Sequence, residues 1–241
     1  MEAFYRAVLV IGDNVKVMTN IREIITKTGI ETSYAYACSP GSSTKPMIGQ
    51  SYDVKRDTAL LISRFDLIIS AHCQQIFPRD LVEGVKCINI HPGYNPFNRG
   101  WYPHVHSILN KLPAGVTIHE MDESIDHGPI IARQEVEVHS WDTSETLYER
   151  VLEAEKELLD KHLTSILLNR YALQRVTEPR SFYSRQDYED LRHIDLEKSY
   201  KGREFIDRLR ALTHGNLNNA FFYDESGEKI FIRIVLERGN C

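Results

Sequence analysis

The chain lacks closely spaced cysteines, and this excludes two classes of small protein. Its four cysteines, Cys38, Cys73, Cys87 and Cys241, are widely separated along 241 residues. Disulfide scaffolds and zinc sites draw on cysteines that come in close pairs. We therefore expect free, mostly buried thiols in a reducing compartment, which favours a cytoplasmic location.

Long apolar runs and an excess of basic residues are also missing. No segment approaches the roughly 20 apolar residues that a membrane span requires, and residues 1–7 lack the pattern of a signal peptide. The net charge is −5, from 29 basic and 34 acidic residues, whereas proteins that bind nucleic-acid backbones are usually basic. We expect neither a membrane segment nor a nucleic-acid partner. A single anionic small molecule remains possible as a ligand, because its binding needs only a local cluster of hydrogen-bond donors.

Three common motifs of nucleotide-binding proteins and hydrolases are absent as well. No G-x-G-x-x-G follows the first predicted strand, and neither G-x-x-x-x-G-K-[ST] nor G-x-S-x-G occurs. Dinucleotide, P-loop and serine α/β-hydrolase sites are therefore excluded. His104 and His106 are two residues apart at the predicted start of a helix, where their side chains diverge and form a poor metal pair. We expect no metal.

The first ninety residues alternate between strand and helix patterns. Strands are predicted at 7–11, 32–38, 67–70 and 86–90, with helices at 15–28 and 58–64. This alternation indicates an α/β fold with a mostly parallel sheet and helices on both faces. Two more strands are predicted at 115–121 and 130–138, and a long helix follows from a start signal at Asp142 and Glu145.

The C-terminal section carries a small helix and a β-hairpin. The helix is predicted at 203–212 and the strands at 219–223 and 229–237, while 176–198 is expected to wrap the surface. The last strand is apolar on both faces, so the main domain or a second subunit must cover it. We favour a second subunit. The predicted organisation is a catalytic domain at 1–175 and a C-terminal extension at 176–241.

One segment combines polar side chains at a strand end with a rigid loop. Asn89 and His91 alternate with apolar residues, so both side chains leave the same face of the predicted strand at its C-terminal end. Ligands bind beyond such strand ends in open parallel sheets. The loop 92–103 that follows contains three prolines, two glycines and four aromatic residues. Together these features favour a functional site over an ordinary turn.

A second polar cluster lies between the two later strands, at 122–129. A hairpin turn would explain its aspartates and glycine without any function. Alternatively, Asp126 points at His91, sets its tautomer and stabilises its charged form. Both interpretations stay open on the residues alone.

At these two clusters the sequence resembles the folate-dependent formyltransferases, which include the glycinamide ribonucleotide and methionyl-tRNA formyltransferases. The matching motifs are Asn89-Ile90-His91-Pro92 at the strand end and Asp126-His127-Gly128 in the later loop. The resemblance covers roughly residues 5–170. It implies a Rossmann-like formyltransferase fold, 10-formyltetrahydrofolate as co-substrate without a metal, and Asn89, His91 and Asp126 as the catalytic group.

The resemblance also implies a mechanism and a folate cleft. Attack of a neutral amine on the formyl carbon builds an oxyanion, to which Asn89 and His91 would donate; one such donor contributes about 10²–10³ in rate. Asp126 would hold His91 and help to remove the amine proton. By the family's layout, the pterin lies against seven residues: His72, Cys73, Gln75, Ile76, Phe77, Asp122 and Ile125.

Within the family, the loop 91–103 looks like that of the nucleotide-sugar N-formyltransferases. The resemblance therefore implies a dTDP-linked amino sugar as acceptor, most closely dTDP-4-amino-4,6-dideoxyglucose, a role in surface polysaccharide (O-antigen) synthesis, and a homodimer formed through the C-terminal hairpin. The expected substrate-binding residues are Tyr94, Asn95, Asn98, Arg99, Trp101, Tyr102, Tyr183 and Arg185.

Four alternatives remain. In the first two, the enzyme formylates the 3-amino isomer of the sugar or methionyl-tRNA; the short acidic chain disfavours methionyl-tRNA. In the third, the chain binds nucleotide sugar or folate without catalysis, but such a binder would have no need for the complete set of Asn89, His91 and Asp126. A hydrolase that releases formate would use the same residues, and it would be active without any amine.

Overall fold

A computed structural model of the protein describes residues 4–174, 176, 178 and 180–239. Its centre is a six-stranded sheet with the strand order β2-β1-β3-β4-β6-β7, and two pairs of short strands lie outside it, β5 with β8 and β9 with β10. The elements in chain order are β1 (Ala7–Gly12), α1 (Val15–Thr28), β2 (Ser33–Ala37), α2 (Lys45–Ile48), α3 (Thr58–Arg64), β3 (Leu67–Ala71), α4 (Arg79–Gly84), β4 (Lys86–His91), β5 (Arg99–Gly100), α5 (Pro103–Asn110), β6 (Ala114–Glu120), β7 (Ile130–Val136), α6 (Ser144–Leu167), β8 (Phe182–Tyr183), α7 (Arg185–Arg192), α8 (Gly202–Leu212), β9 (Ala220–Tyr223) and β10 (Lys229–Ile232).

The predicted α/β fold is confirmed. Strands β2, β1, β3 and β4 are parallel, and β6 and β7 continue the sheet in antiparallel pairing. Alternate residues of β1 enter opposite cores, since side chains of a strand point to opposite faces in turn. Val8 and Val10 pack in the core that holds α1 and α6. Leu9 and Ile11 pack in the core on the other face.

Helix α6 begins one residue later than the predicted signal. Its N-cap is Thr143, which forms a capping box with Thr146. Asp142 is instead buried, accepts a hydrogen bond from the His139 backbone N–H and pairs with Arg150. The error arose because an aspartate before a helix has the same sequence pattern whether it caps the helix or pairs with a buried arginine.

The segment predicted to wrap the surface contains a helix, α7. Ser184 caps this helix in a capping box with Asp187, and Tyr188 is its one buried side chain. Strand β10 ends earlier than predicted, at Ile232, because its partner strand β9 begins at Ala220, which pairs with Ile232. The predicted strand 229–237 was therefore too long.

The two faces of the C-terminal hairpin have different surroundings. Phe222, Ile232 and Ile234 pack on the core that α5, α6 and α8 share, so the chain itself covers one face. On the other side of the hairpin, Tyr223 is 47% exposed and Phe231 is 42% exposed. The main domain thus accounts for one face, and the second face is available to a partner.

Three of the cysteines, Cys38, Cys73 and Cys87, are free thiols, and Cys241 lies outside the described residues. None of the described helices combines the length and the apolar character that a membrane span requires.

Candidate active site

A cavity of about 500 Å³ opens where the parallel strands end. Its lining includes Asn14 after β1, His72 after β3 and His91 at the end of β4. The carboxyl ends of parallel strands meet at one edge of the sheet, so the residues that follow them converge there. This edge is the place the sequence predicted for a site.

The structure brings Asn89, His91 and Asp126 together in this cavity. The Asn89 Nδ2 donates to Asp126 Oδ1 at 2.9 Å, and the His91 Nδ1 lies 3.4 Å from Asp126 Oδ2. The Gly100 backbone N–H also donates to Asp126 Oδ2, at 3.1 Å. The interpretation in which Asp126 points at His91 is therefore the one the geometry supports.

Burial and charge set the protonation of His91 and Asp126. Burial lowers the pKa of His91 to about 4, although the negative charge of Asp126 acts in the opposite direction. Burial alone would raise the pKa of Asp126, but its interactions with His91 and His119 and the hydrogen bond from the Gly100 N–H hold it well below its usual range. At neutral pH the pair is a neutral imidazole that faces an ionised carboxylate. The protonated donor form of His91 is thus disfavoured, while a neutral ring still has one N–H to donate.

A fourth residue, His119, completes this polar group, and sequence reasoning missed it. It lies directly opposite Asn89 in the antiparallel pairing of β4 with β6. Its Nε2 is 3.4 Å from the Asn89 Nδ2 and 3.6 Å from Asp126 Oδ1, and its Nδ1 is 2.7 Å from the Glu120 carbonyl oxygen. Only the register of the two strands reveals this neighbour.

Backbone conformation at the cavity is unusual for residues with a side chain. His72, Tyr102 and Asp126 line the cavity and have φ values of 53°, 51° and 49°. Such conformations persist only where the surrounding structure imposes them, and they cluster at functional sites. At Gly93 the constraint is steric: a Cβ at this position would lie 2.4 Å from the His91 Nε2, so there is no room for a side chain.

The seven residues predicted to contact the pterin all line the cavity: His72, Cys73, Gln75, Ile76, Phe77, Asp122 and Ile125. Ile76 and Ile125 are large apolar side chains left 56% and 37% exposed. Gln75 has a structural task too, because its amide nitrogen donates to the Tyr52 carbonyl and its oxygen accepts from the Val54 N–H. Their contact with folate stays a prediction.

Of the eight residues predicted to bind the acceptor, Trp101 and Tyr102 line the cavity and six do not: Tyr94, Asn95, Asn98, Arg99, Tyr183 and Arg185. Three of the six hold the loop 92–103 in place. Asn95 Nδ2 donates to the Asp126 carbonyl, Asn98 Nδ2 donates to Ser107 Oγ, and Arg99 Nη1 donates to the Ile125 carbonyl.

The other three members of this group pack behind the cavity wall. The Tyr94 ring lies under the Arg133 guanidinium at 4.6 Å, and Tyr183 stacks on His106 at 3.9 Å. Arg185 lies over the Trp101 ring at 5.4 Å, so it is next to the cavity without lining it. A substrate contact by these six residues stays a prediction.

The C-terminal section supplies part of the cavity wall, through residues other than the predicted Tyr183 and Arg185. Tyr188, Arg192, His214, Leu217 and Asn219 line the cavity. The Tyr188 ring lies 4.1 Å from the ring of Tyr102, centroid to centroid. The two parts of the chain therefore form one site together.

Comparisons with known proteins define the class to which this fold and site belong. Residues 6–163 match the family model "Formyl transferase", and residues 187–238 match "N-formyltransferase dimerization C-terminal domain". The chain belongs to the formyl transferase family.

Within that family, the chain is similar to sugar N-formyltransferases. A dTDP-4-amino-4,6-dideoxyglucose formyltransferase of Mycobacterium tuberculosis is 45% identical over 185 residues, which are 77% of this chain and 79% of the relative. A solved sugar N-formyltransferase of Shewanella sp. is 38% identical with a TM-score of 0.91, covering 97% of this chain and 99% of that one. A 4-N formyltransferase of Francisella tularensis is 40% identical with a TM-score of 0.90, covering 97% and 98%.

Proposed function

We propose that the protein transfers the formyl group of 10-formyltetrahydrofolate to the amine of dTDP-4-amino-4,6-dideoxyglucose. The observation that carries the proposal is the contact of Asn89 and His91 with Asp126 inside the cavity at the strand ends. The 45% identity to enzymes of that name supports this choice of acceptor. Surface polysaccharide synthesis is the process that we propose for the product.

The cavity residues fit a folate co-substrate. Large apolar side chains left exposed at a cavity mark a surface that a ligand covers, and Ile76 and Ile125 have this character. A flat pterin ring would cover both, while Asp122 supplies a carboxylate to its polar edge. When bound, 10-formyltetrahydrofolate supplies the activated formyl group.

In the proposed mechanism, His91 and Asp126 handle the proton of the acceptor amine. A neutral imidazole can accept a proton, and the ionised Asp126 stabilises the imidazolium that results. As the amine nitrogen bonds to the formyl carbon, the bond between that carbon and N10 of the folate breaks, and the imidazolium returns the proton to the departing N10. The Asn89 amide holds Asp126 through the 2.9 Å hydrogen bond. The N–H that proton transfer from the amine creates on His91 is the donor that we assign to the formyl oxygen, where negative charge develops.

Aromatic rings form the wall that we assign to the nucleotide sugar. Trp101, Tyr102 and Tyr188 line the cavity, and the Tyr102 and Tyr188 rings are 4.1 Å apart. Such rings offer stacking surface to a thymine base or to the apolar face of a sugar. Arg185, over the Trp101 ring, adds positive charge beside this wall.

The division into a catalytic part at 1–175 and an extension at 176–241 is part of the proposal. Its support is that the two family models match 6–163 and 187–238 separately. We propose that the extension forms the homodimer through the exposed face of the β9–β10 hairpin, which carries Tyr223 and Phe231. A cytoplasmic location fits the three free thiols.

The test is release of tetrahydrofolate from 10-formyltetrahydrofolate, with the 4-amino sugar nucleotide and its 3-amino isomer as alternative acceptors. We expect fast release with the 4-amino acceptor and slow release with its isomer. The reverse preference would correct the acceptor, and release without any amine would indicate a hydrolase. Folate binding without release under any condition would indicate a binding protein and contradict the proposal.

A further inference from the structure

A second group of polar side chains lines the same cavity and takes no part in the His91–Asp126 arrangement. It consists of Tyr148 and the five residues around it, which together we call the Tyr148 cluster: Asn14, His72, His104, Ser144, Tyr148 and His214. From the centroid of the Tyr148 ring, the His104 ring lies at 4.9 Å and the His214 ring at 5.8 Å. Asn14, His104, Ser144 and Tyr148 lie at or beside the starts of α1, α5 and α6, whereas His72 follows β3 and His214 follows α8.

Most polar atoms of the Tyr148 cluster already have partners. The Asn14 Nδ2 donates to the Tyr148 hydroxyl at 3.2 Å, and that hydroxyl is 3.1 Å from the His72 Nδ1. The His72 Nε2 lies 2.6 Å from the buried Glu155 carboxylate. Ser144 Oγ and the His214 Nδ1 are 3.1 Å apart. These bonds fix the rings and leave them no need of a ligand.

His104 is the exception in the Tyr148 cluster. Its side chain is 7% exposed, and its Nδ1 is buried without a hydrogen-bond partner among the described residues. Burial lowers the pKa of His104 to about 3, with smaller effects from His214, His106 and His72, so the ring is neutral. Buried polar atoms in folded proteins nearly always have a hydrogen-bond partner. An atom without a partner therefore needs an explanation, and a ligand contact is one.

The surroundings of His104 identify the kind of group that would pair with it. Arg192 is the one arginine or lysine in the described cavity lining. Its guanidinium nitrogens already donate to the Glu189 carboxylate and to the carbonyls of Asn218 and Asn219. A phosphate would require free cationic donors. A hydroxyl both donates and accepts, so it pairs with a neutral imidazole nitrogen in either tautomer.

We propose that His104 determines acceptor specificity, by a hydrogen bond between its Nδ1 and a hydroxyl of the acceptor sugar. The inference rests on the proposed function, since it assigns one contact within the acceptor side of that site. His104 holds a ring hydroxyl while His91 and Asp126 act at the amine. Sugars that lack this hydroxyl are then rejected because the buried nitrogen stays unpaired.

The experiment compares three acceptors with wild type and with His104→Phe. The acceptors are dTDP-4-amino-4,6-dideoxyglucose and its 2-deoxy and 3-deoxy forms, and the readout is kcat/KM for tetrahydrofolate release. Wild type is expected to lose about 10–100-fold with one of the deoxy acceptors. His104→Phe is expected to lose about as much with the natural acceptor and nothing further with that deoxy acceptor, as in a double-mutant cycle.

His106→Phe is the matched control. His106 lies two residues further along α5, is also buried with an unpartnered ring nitrogen, and stacks on Tyr183 outside the cavity lining. This variant should keep the wild-type discrimination between acceptors. Equal losses with all three acceptors in His104→Phe would overturn the proposal, because a structural role affects them alike.

If His104→Phe does not fold, the comparison of the three acceptors with the wild-type enzyme still tests the proposed hydroxyl contact. Equal kcat/KM for the natural and both deoxy acceptors would overturn the assignment of a hydroxyl contact. Absence of turnover with every amino sugar is a different result, seen before any variant is made, and it contradicts the proposed function together with the contact that rests on it.

Discussion

Asn89 and His119 face each other across the β4–β6 pairing, and both lie beside the same oxygen of Asp126, to which Asn89 donates. The Asn89 Nδ2 is 2.9 Å from Asp126 Oδ1, and the His119 Nε2 is 3.6 Å from it. The Glu120 carbonyl accepts from the His119 Nδ1, so the ring presents Nε2 toward the Asn89 amide. The strand register therefore holds the carboxylate that orients His91.

Replacement of His119 by Leu should slow turnover without weakening folate binding. The change leaves an N–H of Asn89 without its acceptor and so loosens the amide that holds Asp126, a loss of about 1–3 kcal/mol. We expect kcat to fall about 10–100-fold, while binding of 5-formyltetrahydrofolate, measured by calorimetry, changes within a few-fold. A kcat equal to that of wild type would show that Asp126 does not depend on His119.

Gly93→Ala should disable the site through one added methyl group. The new Cβ would lie 2.4 Å from the His91 Nε2 and 3.0 Å from the Pro103 Cβ, so the imidazole ring must move. A displacement of this size at a reacting group costs about 10²-fold in rate. Gly202→Ala is the control, because nothing lies within 4 Å of its Cβ position. Wild-type kcat in Gly93→Ala would contradict the assigned position of His91.

Stability should fall as the pH is lowered from neutral toward 4. Burial lowers the pKa of His91 and His106 to about 4 and that of His104 to about 3. Between the ordinary histidine pKa near 6.5 and these values, the unfolded chain binds protons that the folded chain does not. Each such histidine weakens folding by about 1.4 kcal/mol per pH unit in that window.

The measurement for this prediction is Tm from pH 7 down to pH 4.5 for wild type and His106→Phe. The variant keeps an aromatic ring against Tyr183 and removes one group that takes up a proton on unfolding. Its Tm should therefore fall less steeply with decreasing pH. Parallel curves for the two proteins would mean that His106 is not held neutral in the fold.

Phe231→Asp should convert a dimer into a monomer. Phe231 lies on the hairpin face that the chain itself does not cover, and a buried charge in an interface core is strongly unfavourable. We expect the dissociation constant to rise about thirtyfold or more, measured by light scattering over a range of concentrations. Leu60→Asp on α3, also an exposed apolar residue, is the control and should leave the dimer intact.

Sequence patterns predicted those parts of the site that depend on local periodicity. Asn89 and His91 follow from the two-residue period of a strand, and the alternation of strands with helices places them at a ligand-binding edge. The placement of Asp126 required the family resemblance, since a turn explains its neighbours equally well. Helix α7 was missed because it has eight residues and one buried side chain.

The remaining differences come from long-range packing. His119 joins the site through strand register, which no local pattern encodes. Asn95 and Asn98 have the sequence context of substrate ligands, yet both are buried and hold the loop. Tyr188 and His214 reach the cavity because the C-terminal section packs on α5 and α6 in a shared core. Whether a loop side chain points into the cavity or into the protein interior depends on the packing of the folded chain, so the sequence alone does not predict it.

The most direct test of the account is formation of the N-formyl product by wild type and by His91→Ala, followed by mass spectrometry. Wild type should add one formyl group to dTDP-4-amino-4,6-dideoxyglucose in the presence of 10-formyltetrahydrofolate. His91→Ala should be slower by about 10³-fold or more while its folate affinity stays within a few-fold of wild type. Product formation by His91→Ala at a near-normal rate would contradict the central claim that formyl transfer takes place at His91 and Asp126.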